Sequence, residues 1–144
     1  MSLNKISEAE WQVMRVVWAK GETTSPEIIA SLSETMNWKP ATIKTLIGRL
    51  VKKDMLGTKA DGNKYIYRPL VTEEATLKSA TADLFSRVCA KKMGNSIIDI
   101  INEAELTQED VQKIQQALGN KKTVSEVTCN CIPGQCECQE HQTN

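Results

Sequence analysis

Ile43, Leu46, Ile47, Leu50 and Val51 follow Pro40 at the spacing i, i+3, i+4, i+7, i+8. That spacing places all five on one stripe of an α-helix, which must bury the stripe against other elements. Pro40 suits a first helical turn, where its missing N–H is no loss. The opposite face carries Ala41, Thr45, Gly48 and Lys52, flanked by Thr42, Lys44 and Arg49. Small side chains let a helix enter a groove, and long cations on its flanks reach the rims.

The segments around this helix complete a recognisable order. Ser7-Glu8-Ala9-Glu10 is a capping box. Trp11, Met14, Val17 and Trp18 then recur at helical spacing up to Gly21. Ser25-Pro26 opens a second helix, with Pro26 expected at its first position and Ile28, Ile29 and Leu32 as its apolar stripe. After the third helix, residues 56–60 and 64–68 read as strands joined at Asp61-Gly62-Asn63. Three helices followed by a basic two-stranded hairpin make a winged helix-turn-helix. The expected fold class is mainly α: this winged helix, then a helical dimerisation segment, then a flexible metal-binding tail.

The charge distribution agrees with the pattern. Net charge is zero, yet residues 1–70 carry 11 Lys+Arg against 7 Asp+Glu, and the remainder reverses that balance. The first part could meet a polyanion and the second would not. In a winged helix, Thr45 and Gly48 would face base edges of double-stranded DNA. Lys39, Ala41, Thr42, Lys44, Arg49 and Lys52 would line the same surface, and Lys59, Lys64 and Arg68 would hold flanking phosphates. Trp11, Met14 and Trp18 lie on the apolar stripe of the first helix and are expected in the core, with Trp38 covering the core edge.

Residues 72–118 read as further helices. Thr72 is placed to cap a segment bearing Leu77, Leu84, Phe85 and Val88. Ile97, Ile98, Ile100 and Ile101 mark another, and Thr107-Gln108-Glu109-Asp110 starts a last one. Short helices with few aromatics make a poor core alone, so burial against a second copy is expected. The expected domains are 1–70 for reading DNA, 71–119 for dimerisation, and 120–144 for a polar hinge and tail.

The tail holds four of the five cysteines: Cys129-x-Cys131, four residues, Cys136-x-Cys138. Pro133-Gly134 between the pairs would reverse the chain and bring them together. A Cys-x-Cys disulfide is strained. Four thiolates form a soft site that suits Zn(II) in a closed tetrahedron or Cu(I) in a compact bridged cluster. Cys129, Cys131, Cys136 and Cys138 are the expected ligands. Cys89 is expected alone on a helix as a buried thiol, and His141 outside the ligand set. No apolar run is long enough to span a membrane, and the N-terminus lacks a signal-peptide pattern. A cytoplasmic protein is expected, where clustered cysteines stay reduced.

Trp11-x-x-Met14-x-x-x-Trp18, Trp38-x-Pro40-x-Thr42-Ile43-x-Thr45-Leu46-Ile47-x-Arg49-Leu50 and Tyr65-x-Tyr67 resemble the BlaI/MecI group of winged-helix repressors over about residues 5–119. The added cysteine tail resembles the CopY-type copper-responsive members. The resemblance implies a homodimer on a palindromic operator with a TACA…TGTA core, ahead of copper-transport genes. It implies repression by a zinc-loaded or metal-free form and release by Cu(I), which a copper chaperone could deliver. The chain departs from the β-lactam-responsive members in three ways. It carries the tail, it has no Asn-Phe bond near Ile98-Asp99-Ile100-Ile101-Asn102, and Lys39 stands where a capping Ser is expected. Two other functions fit parts of the pattern: a repressor sensing Zn(II), Cd(II) or oxidants, and a cytosolic metal carrier that binds no DNA. No nucleophile–base constellation or phosphate-binding glycine loop points to an enzyme.

Overall fold

The structure is a computed structural model and describes residues 5–138. The chain separates into two compact units, Met1–Thr81 and Ala82–Asn144.

The first unit begins with α1, Glu8–Lys20. Its capping box is formed: the Glu10 amide donates to Ser7 Oγ at 3.1 Å, and the Ser7 amide to Glu10 Oε1 at 3.0 Å. Gly21 ends the helix at φ +80°, a conformation that side-chain-bearing residues avoid. A two-residue strand, β1 at Thr23–Thr24, precedes α2 at Ser25–Met36. Thr24 is the N-cap of α2, accepting from the Glu27 amide, so Pro26 sits one place deeper than expected. Asn37 closes α2 at φ 56°. The third helix, α3, runs Pro40–Lys52. Lys39 is its N-cap and makes no side-chain capping bond, consistent with the poor capping chemistry of lysine.

The hairpin follows as β2, Leu56–Asp61, and β3, Lys64–Pro69. Its register runs from Leu56 opposite Pro69 to Asp61 opposite Lys64, leaving Gly62-Asn63 as the loop. The wing carries a third strand that the sequence does not announce. β1 pairs with β3, Thr23 opposite Tyr67 and Thr24 opposite Ile66, giving the antiparallel order β1-β3-β2.

The core is the meeting place of these elements. Val13, Met14 and Val17 of α1, Ile28 and Leu32 of α2, and Ile43, Leu46, Ile47 and Leu50 of α3 are buried with Met55 and Leu56. A buried aliphatic side chain of this size contributes about 1.5–3 kcal/mol. The tryptophans sit at the rim of this core rather than inside it. Trp11 and Trp18 are half-buried, edge to face at 5.9 Å. Trp18 Nε1 donates to Val71 O at 2.9 Å, and Trp38 packs against the core edge. Glu10 is buried with its carboxylate 2.9 Å from Lys53 Nζ. Burial would raise that carboxyl's pKa, but hydrogen bonds from Lys53 and Ser7 together hold it below the ordinary value.

Beyond the wing, α4 spans Glu73–Phe85 and begins with Thr72 accepting from the Ala75 amide at 3.0 Å. A 3-10 turn at Ala90–Lys92 leads into α5, Met93–Glu103. α6, Gln108–Gly119, opens on a Thr107/Asp110 capping box. Neither α5 nor α6 buries a residue within the single chain.

Candidate nucleic-acid interface and metal centre

Burying Ile43, Leu46, Ile47 and Leu50 fixes which face of α3 is left for solvent. Ala41, Thr42, Lys44, Thr45, Gly48, Arg49 and Lys52 are all exposed, and so is Lys39 at the helix start. Thr45 Oγ1 donates to Ala41 O at 3.0 Å, so outward it offers a methyl group and an acceptor, not a donor. A methyl-sized addition at Gly48 would meet no neighbour within 4 Å, so the small side chain answers no packing need inside the fold. Lys59, Lys64 and Arg68 are exposed on the hairpin.

A cleft of about 470 Å³ separates α3 from the wing, lined by Lys44, Gly48 and Val51 on one side and Thr58, Tyr65 and Tyr67 on the other. Ser25 also lines it. A second cleft of about 520 Å³ lies between the start of α2 and the hairpin tip, and Tyr65 lines that one too. Tyr65 is 60% exposed, and with Ser25 it lines the space beside Lys44 and Gly48 of α3, a place the sequence pattern assigns to neither residue. The Tyr65-x-Tyr67 alternation is the signal that could have found it, since residues two apart share a strand face.

The second site belongs to the cysteines. Ile132-Pro133-Gly134-Gln135 forms a tight turn, closed by Gln135 N–H to Ile132 O at 3.1 Å with Gly134 at φ +98°. Proline before a positive-φ glycine is the chemistry of a type II turn. The reversal expected at Pro133-Gly134 is therefore present, and Cys129 Sγ lies 3.5 Å from Cys136 Sγ.

The gathered sulfurs are those of Cys89, Cys129, Cys136 and Cys138, all within 4.8 Å of one another. Cys131 adjoins this group, its amide donating to Cys129 Sγ at 3.4 Å. Cys89 is buried, as expected, but it is neither helical nor alone. The backbone after α4 tightens, with Arg87 and Val88 bonding back to Leu84 and Phe85, and the helix stops before Cys89. The Cys89 sulfur lies 3.7 Å from Cys129 and 3.5 Å from Cys138. His141 lies outside the described residues.

Crowding shapes the protonation of these thiols. Desolvation, then the sulfurs of Cys129, Cys89 and Cys136, push Cys131 up to about 12. The neighbouring sulfurs of Cys136, Cys129 and Cys89 push Cys138 upward as well. Cys136 moves down, chiefly through the backbone amide of Cys138 and further through its sulfur neighbours. The Cys136 thiolate is favoured over those of Cys131 and Cys138, and each further thiolate forms against the charge of its neighbours, an opposition that a bound cation would remove. The donor set fits a soft metal. With Zn–S bonds near 2.3 Å, sulfurs at the corners of a tetrahedron stand about 3.8 Å apart, close to the 3.5–3.7 Å of Cys89–Cys129, Cys89–Cys138 and Cys129–Cys136 in a set that extends to 4.8 Å.

The fold, these two surfaces and the family match below define a class: a DNA-binding transcriptional repressor of winged-helix build, bearing a thiol cluster fit to hold a metal ion. The chain belongs to the penicillinase repressor family, whose pattern it matches over residues 6–120. It is 38% identical over 141 residues to an uncharacterized 16.5 kDa protein of Latilactobacillus sakei, covering 96% of this chain and 97% of that one. It is 33% identical over 118 residues to the methicillin resistance regulatory protein MecI of Mammaliicoccus sciuri, covering 81% of this chain and 95% of that one. Among solved structures it resembles the CopR repressor at 50% identity, over 47% of this chain and 99% of that one, with a TM-score of 0.41. Among the described residues no helix is long and apolar enough to cross a membrane.

Proposed function

We propose that the chain is a copper-responsive repressor that binds a palindromic operator as a dimer and leaves it when Cu(I) occupies the cysteine cluster. The observation that carries this reading is the convergence of cysteine sulfurs on a chain that otherwise belongs to a repressor family. Residues 1–70 read one half-site, residues 71–119 pair two copies, and residues 120–144 carry the metal-responsive tail. Lys39, Thr42, Lys44, Arg49 and Lys52 of the α3 region, with Lys59, Lys64 and Arg68 of the wing, seat the phosphate backbone. Ala41, Thr45 and Gly48 admit the base edges.

Zn(II) would supply a closed four-thiolate node, whereas Cu(I) favours fewer sulfurs per ion with bridging between ions. The two loadings differ in charge and shape, which is the requirement for a sensor. A useful switch needs the loadings to differ in operator affinity by about 1–3 kcal/mol. The site of action is the cytoplasm, where a chaperone presenting Cu(I) on thiolates could exchange it into the cluster. Two features of the fold support a dimer. α5 and α6 bury nothing alone, and Leu77, Leu84, Ile97, Ile98, Ile100 and Leu118 are exposed.

The test is a Cu(I) titration of the protein on operator DNA, with zinc release followed in parallel. Copper should free the operator and displace zinc together, and removal of residues 129–144 should abolish both responses. Release by Cd(II) or by an oxidant, with Cu(I) inert, would transfer the reading to a different signal. Absence of salt-dependent, sequence-selective DNA binding would favour a metal carrier instead.

A further inference from the structure

The Cys-x-Cys pairs explain three of the four gathered sulfurs. The fourth, Cys89, comes from the junction between α4 and α5, forty positions before Cys129. A second and independent set of bonds docks the tail at that junction. Asn130 Oδ1 accepts from the Ala90 amide at 2.7 Å, and Asn130 Nδ2 donates to Val88 O at 3.4 Å. The carboxamide thus clasps the backbone on both sides of Cys89. Lys91 and Glu126 add an ion pair at 3.7 Å. Cys89 is 8% exposed and is the one buried thiol of the five.

We propose that Cys89 is a metal ligand: a single divalent ion is held by Cys89, Cys129, Cys136 and Cys138, with Cys131 as the spare thiol. This deepens the reading of the tail as a metal sensor and rests on it. Three observations converge. The four sulfurs form the mutually close set, Asn130 bonds the backbone on both sides of Cys89, and the 3.5 and 3.7 Å separations suit a tetrahedral edge. The consequence is mechanical. A tail that closed its site with its own four cysteines would hold metal without touching the helices. A site completed by Cys89 ties the tail to the α4–α5 junction whenever a four-coordinate ion is bound. Metal occupancy is then felt directly in the helical segment.

Co(II), which prefers the same tetrahedral thiolate coordination as Zn(II) and is coloured, reads the ligand number. The full chain should show a four-thiolate spectrum in its d–d and sulfur-to-metal charge-transfer bands. Cys89→Ser should lose charge-transfer intensity and weaken zinc binding in a chelator competition by about tenfold or more, whereas Cys131→Ser should keep both. A four-thiolate spectrum in Cys89→Ser, lost instead in Cys131→Ser, would overturn the proposal and leave a tail-only site. In that case Cu(I) would still release the operator, so the sensor reading would survive. If the unmutated chain gave no thiolate–cobalt band, both would fall. To keep the question independent of how Cys89→Ser folds, alkylation of the unmutated protein is compared with and without one equivalent of zinc. Zinc should slow modification of Cys89 together with Cys129, Cys136 and Cys138, and an unchanged rate at Cys89 would refute its role.

Discussion

The sulfur of Cys89 stands 3.5 Å from that of Cys138, forty-nine positions later in the chain. Asn130 secures the approach by bonding the Ala90 amide and the Val88 carbonyl. Asn130→Ala removes both bonds and leaves the Ala90 amide open to solvent. A net loss of about 1 kcal/mol corresponds to roughly fivefold faster amide exchange at Ala90. Exchange unchanged in the variant would mean that the tail does not rest there in solution.

Gly48→Ala separates the demands of folding from those of binding. A methyl group there meets no neighbour, and alanine in a helix interior is favoured over glycine by about 1 kcal/mol. The melting temperature should therefore rise. The same methyl projects from the surface proposed to enter the groove, so operator affinity should drop by about fivefold or more, roughly 1 kcal/mol. A variant that is stabilised and binds as tightly as the parent would remove Gly48 from the reading surface.

Arg49 and Lys52 are exposed on the last turn of α3 and are proposed to meet phosphates. Each cation taken away from a phosphate should lower the slope of log affinity against log salt by about 0.9, so the double alanine variant should flatten it by about 1.8. The weakening should be similar on operator and unrelated DNA. A deficit confined to the operator would instead assign these side chains to base recognition.

Much of this is readable in the chain because it is local. The stripe of α3, the Ser7-x-x-Glu10 box and the Pro133-Gly134 reversal each depend on residues within one or two turns, so spacing alone reveals them. β1 is not readable. It is two residues long and exists only because Thr23 and Thr24 pair with Tyr67 and Ile66. The place of Cys89 is hidden for a similar reason. No glycine or proline marks the end of α4, and its sulfur partners come from the far end of the chain. The tryptophans misled in a smaller way. Trp11 shares the helical period of the core, yet Val13 takes the interior position while Trp11 lies against Trp18 at the rim.

Glu10 gives the first unit an acid-sensitive link. Its folded pKa lies below the ordinary 4.5, so the folded state binds fewer protons than the unfolded chain in that range. Its contribution to stability is complete above about 4.5 and disappears as pH falls through the lower folded value. Urea unfolding on either side of this window should show a loss on acidification that Glu10→Gln reduces. Lys53→Met, which removes a 2.9 Å charged hydrogen bond from a buried carboxylate, should destabilise by about 1–3 kcal/mol at neutral pH. An equal acid loss in the parent and in Glu10→Gln would place the sensitivity elsewhere.

The helical segment offers the clearest test of pairing. Ile97 and Ile100 are 46% and 54% exposed on the single chain and lie one turn apart on α5. Surface substitutions in a monomer change stability by no more than about 0.5 kcal/mol. At a two-fold interface the same patch faces itself, so Ile97→Asp with Ile100→Asp would bring carboxylates from both copies into one desolvated space. Sedimentation equilibrium should therefore report monomers for the double variant and dimers for the parent. Half-site binding should persist in the variant while the gain from a full palindrome disappears, because the reading surface of α3 is untouched. A variant that remains dimeric would show that copies pair through another surface and that α5 does not set the spacing of the two reading helices.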